Sequence, residues 1–270
     1  MSGPLTPKEE LLKKMAELGV EPKRALGQNF LISGHVISRI FDDLDRLKPS
    51  FVIEIGPGLG ALTESLIRRA PARRLIEMDR KYSEYWRNRG EDLVEGDALQ
   101  IDWDKLSLPE PTLLLSNLPY QISSRLVIER STGPRAVKDM ILMFQKEVAD
   151  RLVAEARGAD YGFLSVIAQT FWSLRVVVDA SPECFYPIPN VSSRVMGFAR
   201  RENVTLGSDY VSFVKSAFQF RRKFLLKNLK AQESLLRRAL PELGFSEKVR
   251  AEELSPTDFQ RLFAKLKSYE

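Results

Sequence analysis

The sequence predicts an α/β fold: a doubly wound domain on a parallel sheet, followed by a smaller all-helical domain. Three observations lead to this fold class. Short apolar runs alternate with helical patterns from about residue 50 to residue 144, the signature of β-α-β units and a parallel sheet. A glycine-rich turn follows the first apolar run, as at the ligand edge of such sheets. After residue 208, every periodic segment is helical.

The predicted elements follow one another in a regular order. A capping box at Thr6 and Glu9, with Pro7 at the first helical position, predicts a short helix that ends near Leu18. The predicted strands are residues 51–55, 75–78, 92–95, 112–115 and 140–144, with further strands at 175–179 and 195–199. The predicted helices are the segment after Gly60 and residues 81–89, 145–156, 161–172, 210–220, 232–240 and 256–267. We therefore expect a ligand-binding domain of residues 1–204, with an N-terminal helical extension of residues 1–24, and a helical domain of residues 205–270.

Composition excludes several kinds of site. The 270 residues are 44% hydrophobic and 29% charged, as in an ordinary globular protein. A single cysteine, Cys184, excludes an internal disulfide and a thiolate zinc site, and it suits a reducing compartment. A single histidine, His35, disfavours a histidine-rich metal site and a Ser-His-Asp triad, so no metal is expected. No run approaches the ~20 apolar residues of a membrane span, and acidic residues interrupt the N-terminus where a targeting peptide would lie. We expect a cytoplasmic monomer with no membrane partner.

The positive charge is concentrated in the last quarter of the chain. Residues 205–270 carry 13 Lys and Arg against 8 Asp and Glu, whereas residues 1–204 carry 28 Lys and Arg against 28 Asp and Glu. Between residues 211 and 232, six cations alternate with phenylalanines and no acidic residue intervenes; they are Lys215, Arg221, Arg222, Lys223, Lys227 and Lys230. Such a helical face is typical of phosphate contact, so we predict that this basic cluster binds nucleic acid. The alternative is a solvated helix whose phenylalanines form its core side.

A glycine loop, residues 56–60, follows the first predicted strand. Its glycines at 56, 58 and 60 let the backbone turn sharply and let a ligand approach closely. Glu77 lies 21 residues after Gly56, at the end of the second strand, where a carboxylate can accept both hydroxyls of a ribose. This spacing fits NAD as well as S-adenosylmethionine, and a purely structural turn is the alternative. The pattern predicts an adenosine-bearing cofactor.

Asp97 and Ala98 follow the third predicted strand. The Asp97 carboxylate is suited to accept a hydrogen bond from an adenine amine, and a small residue at position 98 leaves room for the ring. An aspartate in this context is also a common helix cap. Its register with Gly56 and Glu77, each at the end of a strand, favours a third cofactor contact.

Four residues directly after the strand predicted at 112–115 form a motif that we call the amine clamp: Asn117, Leu118, Pro119 and Tyr120. The Asn117 amide oxygen and the Leu118 carbonyl offer two acceptors. Pro119 stiffens the turn, and Tyr120 supplies a flat ring for stacking. Two acceptors and a platform suit an NH₂ group on a planar base, whereas a strand-to-helix turn is the structural alternative. Because a hydride transferase has no use for such a clamp, the motif favours S-adenosylmethionine over NAD.

Together these motifs resemble those of one known family. The matching segments, in chain order, are Gly27-Gln28-Asn29-Phe30-Leu31, the glycine loop, Glu77, Gly96-Asp97-Ala98, the amine clamp, Gln145-Lys146-Glu147-Val148, residues 161–166 and the basic segment 218–230. Over about residues 22–230, the sequence is similar to the small-subunit ribosomal RNA adenine dimethyltransferases. The resemblance implies a Rossmann-like class I S-adenosylmethionine-dependent methyltransferase domain with a smaller helical C-terminal domain.

The resemblance also implies which residues bind the cofactor. The glycine loop would lie beside the methionine portion, Glu77 would bind the ribose, Asp97 the adenine amine, and Asn117 would border the methyl group. The full set implied for S-adenosylmethionine is Gln28, Asn29, Leu31, Gly56, Gly58, Glu77, Asp97, Ala98 and Asn117.

The target adenine, by the same resemblance, would lie in the amine clamp, with Phe185 of the proline-rich loop as a second stacking face. Ser192 stands in that loop where the family often carries Asp, so no charged role is expected at this position.

The implied activity is methyl transfer from S-adenosylmethionine to the N6 amines of adenines in small-subunit, 16S-type ribosomal RNA. The products would be N6,N6-dimethyladenosine and S-adenosylhomocysteine, and the partner would be the small ribosomal subunit or its precursor during biogenesis. The alternatives are a large-subunit RNA methyltransferase of the erythromycin-resistance type, a DNA adenine methyltransferase, and a non-enzymatic RNA-binding assembly or transcription factor. An NAD-dependent enzyme would bind its cofactor through Glu77 without methyl transfer.

Overall fold

The computed structural model describes residues 5–23, 27–69 and 72–269, so residues 1–4 and 24 of the predicted N-terminal extension lie outside it. The strands are β1 (Phe30–Leu31), β2 (Phe51–Ile55), β3 (Ala72–Glu77), β4 (Leu93–Glu95), β5 (Thr112–Ser116), β6 (Val137–Gln145), β7 (Trp172–Ala180), β8 (Phe185–Tyr186) and β9 (Ser193–Arg200). The α-helices are α1 (Pro7–Leu18), α2 (Gly34–Leu47), α3 (Thr63–Arg69), α4 (Arg80–Asn88), α5 (Tyr120–Thr132), α6 (Lys146–Leu152), α7 (Phe163–Phe171), α8 (Ser208–Ala217), α9 (Leu225–Asn228), α10 (Glu233–Glu242) and α11 (Pro256–Lys267). None of these helices has the length and apolar character needed to cross a membrane.

Seven strands form the central sheet, in the order β4-β3-β2-β5-β6-β9-β7. The pairs β3–β4, β2–β3, β2–β5 and β5–β6 are parallel, and β9 runs antiparallel to β6. The sheet alternates with helices along the chain, as β-α-β units require. The predicted α/β fold is confirmed.

The apolar runs form central strands because they are buried on both faces of the sheet. Leu113, Leu114 and Leu115 of β5 have no exposed surface, and Leu142 and Phe144 of β6 are equally buried. A strand covered on both faces reads as a continuous apolar run rather than an alternating one. The predicted strand at 112–115 is therefore the centre of the sheet, and its carboxyl end delivers the amine clamp.

A small second sheet ties the N-terminal segment to the proline-rich loop. β1 and β8 pair antiparallel, with Phe30 opposite Tyr186 and Leu31 opposite Phe185. The backbone N–H of Ile32 extends the pairing by donating to the carbonyl of Cys184 at 2.8 Å. The predicted elements omit both strands, because two-residue strands leave no periodic pattern to recognise. They also omit α5.

The chain divides into two compact units. One unit comprises the described residues up to 126 together with 133–149 and 175–200; the other comprises 127–132, 150–174 and 201–269. The last segment of the second unit begins at residue 201, close to the predicted boundary at 204. The other two segments of that unit lie earlier in the chain. The division into domains 1–204 and 205–270 stays a prediction.

The second unit has an aromatic core. The rings of Tyr210 on α8 and Phe263 on α11 lie 5.3 Å apart in an edge-to-face arrangement, and Phe213 packs against Phe263 at 5.4 Å. The hydroxyl of Tyr161 donates to the Leu254 carbonyl at 2.7 Å, so the buried phenol retains a partner.

The basic segment in this unit is not one helix. The sequence predicts a helix over 210–220 that continues as a basic helical face, but α8 ends at Ala217 and residues 218–223 form turns. Phe218 packs against Phe259 with ring centroids 5.6 Å apart, and the Leu225 N–H donates to the Val249 carbonyl at 2.8 Å. Leu225 is the first residue of α9, where an N–H has no partner within the helix, and Val249 supplies that partner. The basic residues are thus distributed over α8, α9 and the turns after each helix.

Candidate functional site

A cavity of about 760 Å³ lies at the carboxyl ends of β2, β3 and β5. This edge is the usual ligand side of an α/β sheet, and ligand cavities commonly measure ~300–1,000 Å³. Phe185 does not line the cavity, whereas every residue assigned above to the cofactor or the amine clamp does. These lining residues are Gln28, Asn29, Leu31, Gly56, Gly58, Glu77, Asp97, Ala98, Asn117, Leu118, Pro119 and Tyr120.

The glycine loop needs its glycines for two different reasons. Gly56, Gly58 and Gly60 have φ angles of +66°, +50° and +93°, a region that side-chain-bearing residues rarely adopt. A Cβ at position 56 would meet no atom within 4 Å, whereas a Cβ at position 60 would lie 2.9 Å from the ring of Trp86. The first glycine therefore leaves room on the cavity side, and the last lets a buried ring approach the backbone.

Trp86 of α4 holds the glycine loop in place. Its indole N–H donates to the Gly58 carbonyl at 2.9 Å, and the side chain has no exposed surface. Trp86 is not among the predicted site residues, and it lies in the helix predicted at residues 81–89. The sequence signal for this contact was a single tryptophan in a helix with several charged residues, since so large a ring is usually buried against a neighbouring segment.

Glu77 is held by backbone donors on both oxygens. Its Oε2 accepts from the Gly58 N–H at 3.1 Å and its Oε1 from the Asp79 N–H at 2.8 Å. The residue is 7% exposed, and burial raises the pKa of the carboxyl while the backbone donors oppose that rise. Each carboxylate oxygen accepts more than one hydrogen bond, so both remain able to receive ligand hydroxyls.

Glu54, near the end of β2, is a second buried acid of the cavity. It is 2% exposed, and its Oε2 has no hydrogen-bond partner among the described residues. Burial raises the pKa of its carboxyl to about 8, and the nearby Glu77 carboxylate acts in the same direction. An unpartnered buried carboxyl suits a cationic group of a ligand, because a positive charge would favour its ionised form.

We expect Glu54 to make the free energy of unfolding depend on pH. The folded protein keeps this proton up to about pH 8, whereas the unfolded chain loses it near the ordinary value of 4.5. Stability therefore falls as pH rises between these values, by up to ~1.4 kcal/mol per pH unit. Glu54→Gln cannot ionise and should flatten this dependence in urea unfolding at pH 5, 6, 7 and 8. Glu84→Gln, at an exposed position, is the control, and equal slopes in wild type and Glu54→Gln would contradict the assignment.

Asp97 closes the turn after β4. Its Oδ1 accepts from the Leu99 N–H at 2.9 Å and its Oδ2 from the Gln100 side chain at 2.8 Å. Residues 98–100 form a turn rather than a helix, so Asp97 is not a helix cap. Lone pairs remain on both oxygens, so an additional donor such as an adenine amine is compatible with this geometry. The neighbouring Ala98 is buried, and its carbonyl accepts from the Trp103 indole at 2.8 Å.

The amine clamp presents its acceptor because the other half of the Asn117 amide is occupied. The Asn117 Nδ2 donates to the Asn29 carbonyl at 3.2 Å, which assigns Nδ2 to the N-terminal segment and leaves Oδ1 as an acceptor. Pro119, with φ −54° and ψ 128°, is the N-cap of α5. Tyr120 begins that helix, and its hydroxyl lies 2.7 Å from the Ser193 Oγ.

Phe185 does not present an open stacking face. Its ring is 1% exposed and packs in the core with Leu31, Val195 and Ala180. Pairing with Leu31 in the β1–β8 sheet turns Phe185 inward, because successive side chains of a strand point to opposite faces. This placement corrects the expectation of a stacking role for Phe185.

Helix α1 lines part of the cavity, although none of its residues was predicted to belong to the site. The Lys14 ammonium donates to the Leu59 carbonyl of the glycine loop at 3.3 Å and pairs with Glu64 at 2.9 Å. Although burial opposes it, hydrogen bonds from Arg89 and Lys14 lower the pKa of Glu64 to about 2. Leu11 and Met15 of α1 pack with Leu59 in a small apolar cluster.

The basic cluster of the second unit is exposed but not wholly unpaired. The Arg221 guanidinium donates to Glu252 at 2.8 Å and to the Gly158 carbonyl at 3.0 Å. Within the described part of the chain, the five other members form no ion pair. Lys223 lies 4.4 Å above the ring of Phe220, which is 50% exposed. The predicted run of unneutralised charge is therefore interrupted at Arg221, by an acid that the fold brings from 31 residues away.

No group of three or more His, Cys, Asp or Glu side chains within residues 5–23, 27–69 and 72–269 is arranged to hold a metal ion.

Known proteins match the chain over almost its whole length. Residues 20–268 match the family described as ribosomal RNA adenine dimethylase. The ribosomal RNA small subunit methyltransferase A of Bdellovibrio bacteriovorus is 44% identical over 264 residues, which cover 95% of this chain and 96% of that protein. The protein of the same name from Sulfurihydrogenibium sp. is 36% identical over 256 residues, covering 90% and 96%. The resemblance deduced from the motifs is confirmed.

Solved structures share the fold. A dimethyladenosine transferase from Plasmodium falciparum superposes with a TM-score of 0.72 at 22% identity, covering 88% of this chain and 98% of that one. The 23S rRNA methyltransferase ErmE superposes with a TM-score of 0.64 at 26% identity, covering 88% and 100%. With a family match over residues 20–268 and relatives at 36% and 44% identity, this chain belongs to the ribosomal RNA adenine dimethylase family of S-adenosylmethionine-dependent methyltransferases.

Proposed function

We propose that this protein transfers two methyl groups in turn to the N6 amine of adenines in small-subunit ribosomal RNA. One observation carries the proposal: the amine clamp and the glycine loop line the same cavity, so an amine acceptor and a nucleoside site are contiguous. Small-subunit RNA is favoured because the relatives at 44% and 36% identity are both small-subunit methyltransferases by name, whereas ErmE is 26% identical. The large-subunit alternative is not favoured.

The residues present fit S-adenosylmethionine. Glu77 has lone pairs for two ribose hydroxyls, and Asp97 has them for the adenine amine. The open space at Gly56 admits the methionine portion, and the unpartnered Glu54 Oε2 suits its ammonium group. We assign Gln28, Asn29, Leu31, Gly58 and Ala98 to the walls of the same cofactor site.

When bound, the sulfonium of this cofactor supplies a methyl group that is already activated toward nucleophiles. The chain's task is then to aim the target amine, whose lone pair is delocalised into the adenine ring. Asn117 Oδ1 and the Leu118 carbonyl would accept its two N–H groups, which localises the lone pair and directs it at the methyl carbon. The two acceptors would hold the amine through its protons during transfer, and one proton would leave to water once the nitrogen is positively charged. No side-chain general base is required.

The target base must leave its stack to reach the clamp, and Tyr120 would replace the lost stacking. Phosphate contacts outside the cavity would come from the basic cluster, with Arg222 and Lys223 as its principal members because Arg221 is engaged by Glu252. We further propose that the protein acts as a cytoplasmic monomer on the small subunit or its precursor and needs no metal.

The substrate assignment is tested by transfer of labelled methyl to under-methylated small subunits, large subunits and duplex DNA in parallel. We expect label in small-subunit RNA, recovered as N6,N6-dimethyladenosine after digestion and mass spectrometry. Label confined to large-subunit RNA or to DNA would overturn the proposal. Chelator should leave the rate unchanged.

Neutralising two exposed cations should weaken RNA binding without affecting the fold. In the Arg222→Gln/Lys223→Gln double variant, we expect the slope of log affinity against log salt to become shallower by roughly 1.4–1.8, since each of the two lost phosphate contacts removes about 0.7–0.9. Lys105→Gln, a side chain 83% exposed in the other unit, is the matched control. Filter binding across a salt series measures the slope, and an unchanged slope would remove the cluster from the interface.

A further inference from the structure

Ser193 stands out because it is buried, polar and bonded to the amine clamp. It begins β9, has no exposed surface, and its hydroxyl lies 2.7 Å from the hydroxyl of Tyr120, 73 residues earlier in the chain. Ser193 is buried while Tyr120 is half-buried, so the Ser193 hydroxyl depends on Tyr120 for its hydrogen bond and loss of that partner would leave it unsatisfied.

This bond restrains the Tyr120 ring at its far end. The backbone end is already held, because Tyr120 is the first residue of α5 and its carbonyl accepts from the Ser123 hydroxyl at 2.9 Å. A tyrosine has only two side-chain torsions. Because the phenolic oxygen lies on the axis about which the ring turns, anchoring it as well as the backbone fixes the first torsion, and with it the position and axis of the ring. Burial raises the pKa of Tyr120, and the Ser193 bond acts against that rise, so the two hydroxyls are coupled.

The two working parts of the clamp are thus held by different segments. Asn117 is held by the Asn29 carbonyl from the N-terminal side. Tyr120 is held by Ser193, which sits opposite Gln145 in the β6–β9 ladder, and β6 pairs directly with β5. Asn117 directly follows β5, and the anchor of Tyr120 begins β9 of the same seven-stranded sheet, which favours a constant distance between the acceptor and the stacking platform.

We propose that Ser193 is a positioning residue for the second methyl transfer; this rests on the proposed function. It touches no reacting atom and acts by setting the position and axis of the Tyr120 ring relative to Asn117. An unmethylated amine offers two N–H groups to the two acceptors of the clamp. After the first transfer only one N–H remains, so hydrogen bonding orients the monomethylated base less well and stacking on Tyr120 must do more. Loss of Ser193 therefore slows the second transfer more than the first.

The test compares Ser193→Ala, Tyr120→Phe and the double variant in single-turnover methylation of small subunits, with mono- and dimethyladenosine quantified over time. We expect roughly a tenfold to a hundredfold slower second transfer, accumulation of the monomethylated product, and little change in KM for the subunit. Because both single variants break the same bond, the double variant should be no slower than either one. Ser193→Thr, which keeps the hydroxyl on a strand, should restore dimethylation.

Ser192→Ala is the matched control, because the structure engages Ser192 through its backbone carbonyl, which accepts from the Lys146 N–H at 2.9 Å. Its product ratio should equal that of wild type. A wild-type product ratio in Ser193→Ala would overturn the inference while leaving the proposed function intact, whereas failure of the wild-type protein to methylate adenine would refute the proposed function itself. If Ser193→Ala has a lower melting temperature than wild type, the test rests on Tyr120→Phe, which keeps the ring. The ratio of mono- to dimethyladenosine in that variant then supports or overturns the inference.

Discussion

Replacement of Asn117 by alanine is expected to lower kcat for methyl transfer by about a hundredfold or more, the usual cost of removing one oriented polar group that stabilises a transition state. The variant loses the amide oxygen that aims the target amine. It also leaves the Asn29 carbonyl without the donor that Asn117 supplies at 3.2 Å. The measurement is the rate of labelled methyl transfer to small subunits under single-turnover conditions.

The control for this variant is Asn88→Ala, an exposed asparagine at the end of α4, which should behave as wild type. Binding of S-adenosylmethionine, followed by calorimetry, distinguishes a catalytic defect from loss of the cofactor site. A rate for Asn117→Ala within a few-fold of wild type would mean that the amide oxygen does not orient the amine, and the proposed function would lose its central support.

Replacement of Gly60 by alanine is expected to have the largest effect on stability. The new Cβ would lie 2.9 Å from the buried ring of Trp86, on a backbone whose φ of +93° already disfavours a side chain. Backbone strain of ~1–2 kcal/mol and overpacking of ~1–3 kcal/mol together predict a loss of about 2–5 kcal/mol in the free energy of unfolding. Because Trp86 also bonds the Gly58 carbonyl, affinity for S-adenosylmethionine should fall with it.

Gly90→Ala separates strain from collision. Gly90 has a similar φ of +79°, but a Cβ there would meet no atom within 4 Å, so only the ~1–2 kcal/mol of strain is expected. Urea unfolding of both variants gives the comparison. In a Trp86→Phe background the colliding atoms are absent, and Gly60→Ala should cost less there. If Gly60→Ala and Gly90→Ala lowered the free energy of unfolding equally, the glycine loop would have shifted to relieve the contact with Trp86, and the predicted overpacking would be wrong.

Local sequence signals predicted many elements correctly. The capping box at Thr6 opens α1 as expected, because this signal depends on residues three positions apart. The helix predicted at 256–267 is α11, and its N-cap Ser255 forms a capping box with Asp258. The apolar run at residues 112–115 was recognised as a buried strand for a similar reason, since burial on both faces demands continuous apolar character. The residues predicted for the cofactor line one cavity because Glu77, Asp97 and Asn117 each lie at or just after the end of a strand of the same sheet.

Predictions failed where a distant segment decides the local structure. The basic helix was expected to run through residues 218–230, yet the chain leaves the helix after Ala217 to meet Val249. Phe185 was expected to face a base, yet pairing with Leu31 buries it. The contact between Trp86 and the glycine loop was not predicted, because no residue pattern within its own helix shows which distant segment the indole packs against.

The sequence by itself determined the α/β fold class, the family, and the set of residues at the ligand edge of the sheet, because each of these follows from periodicity and short motifs. Only the tertiary structure decided which partners these side chains have. Asn117 bonds to a carbonyl 88 residues away, and Tyr120 bonds to a hydroxyl 73 residues away. In the other unit, Arg221 pairs with an acid 31 residues away. The physical reason is that a hydrogen bond or an ion pair needs its partners within about 3–4 Å, and which distant segments come that close is set by packing of the whole fold rather than by any local pattern.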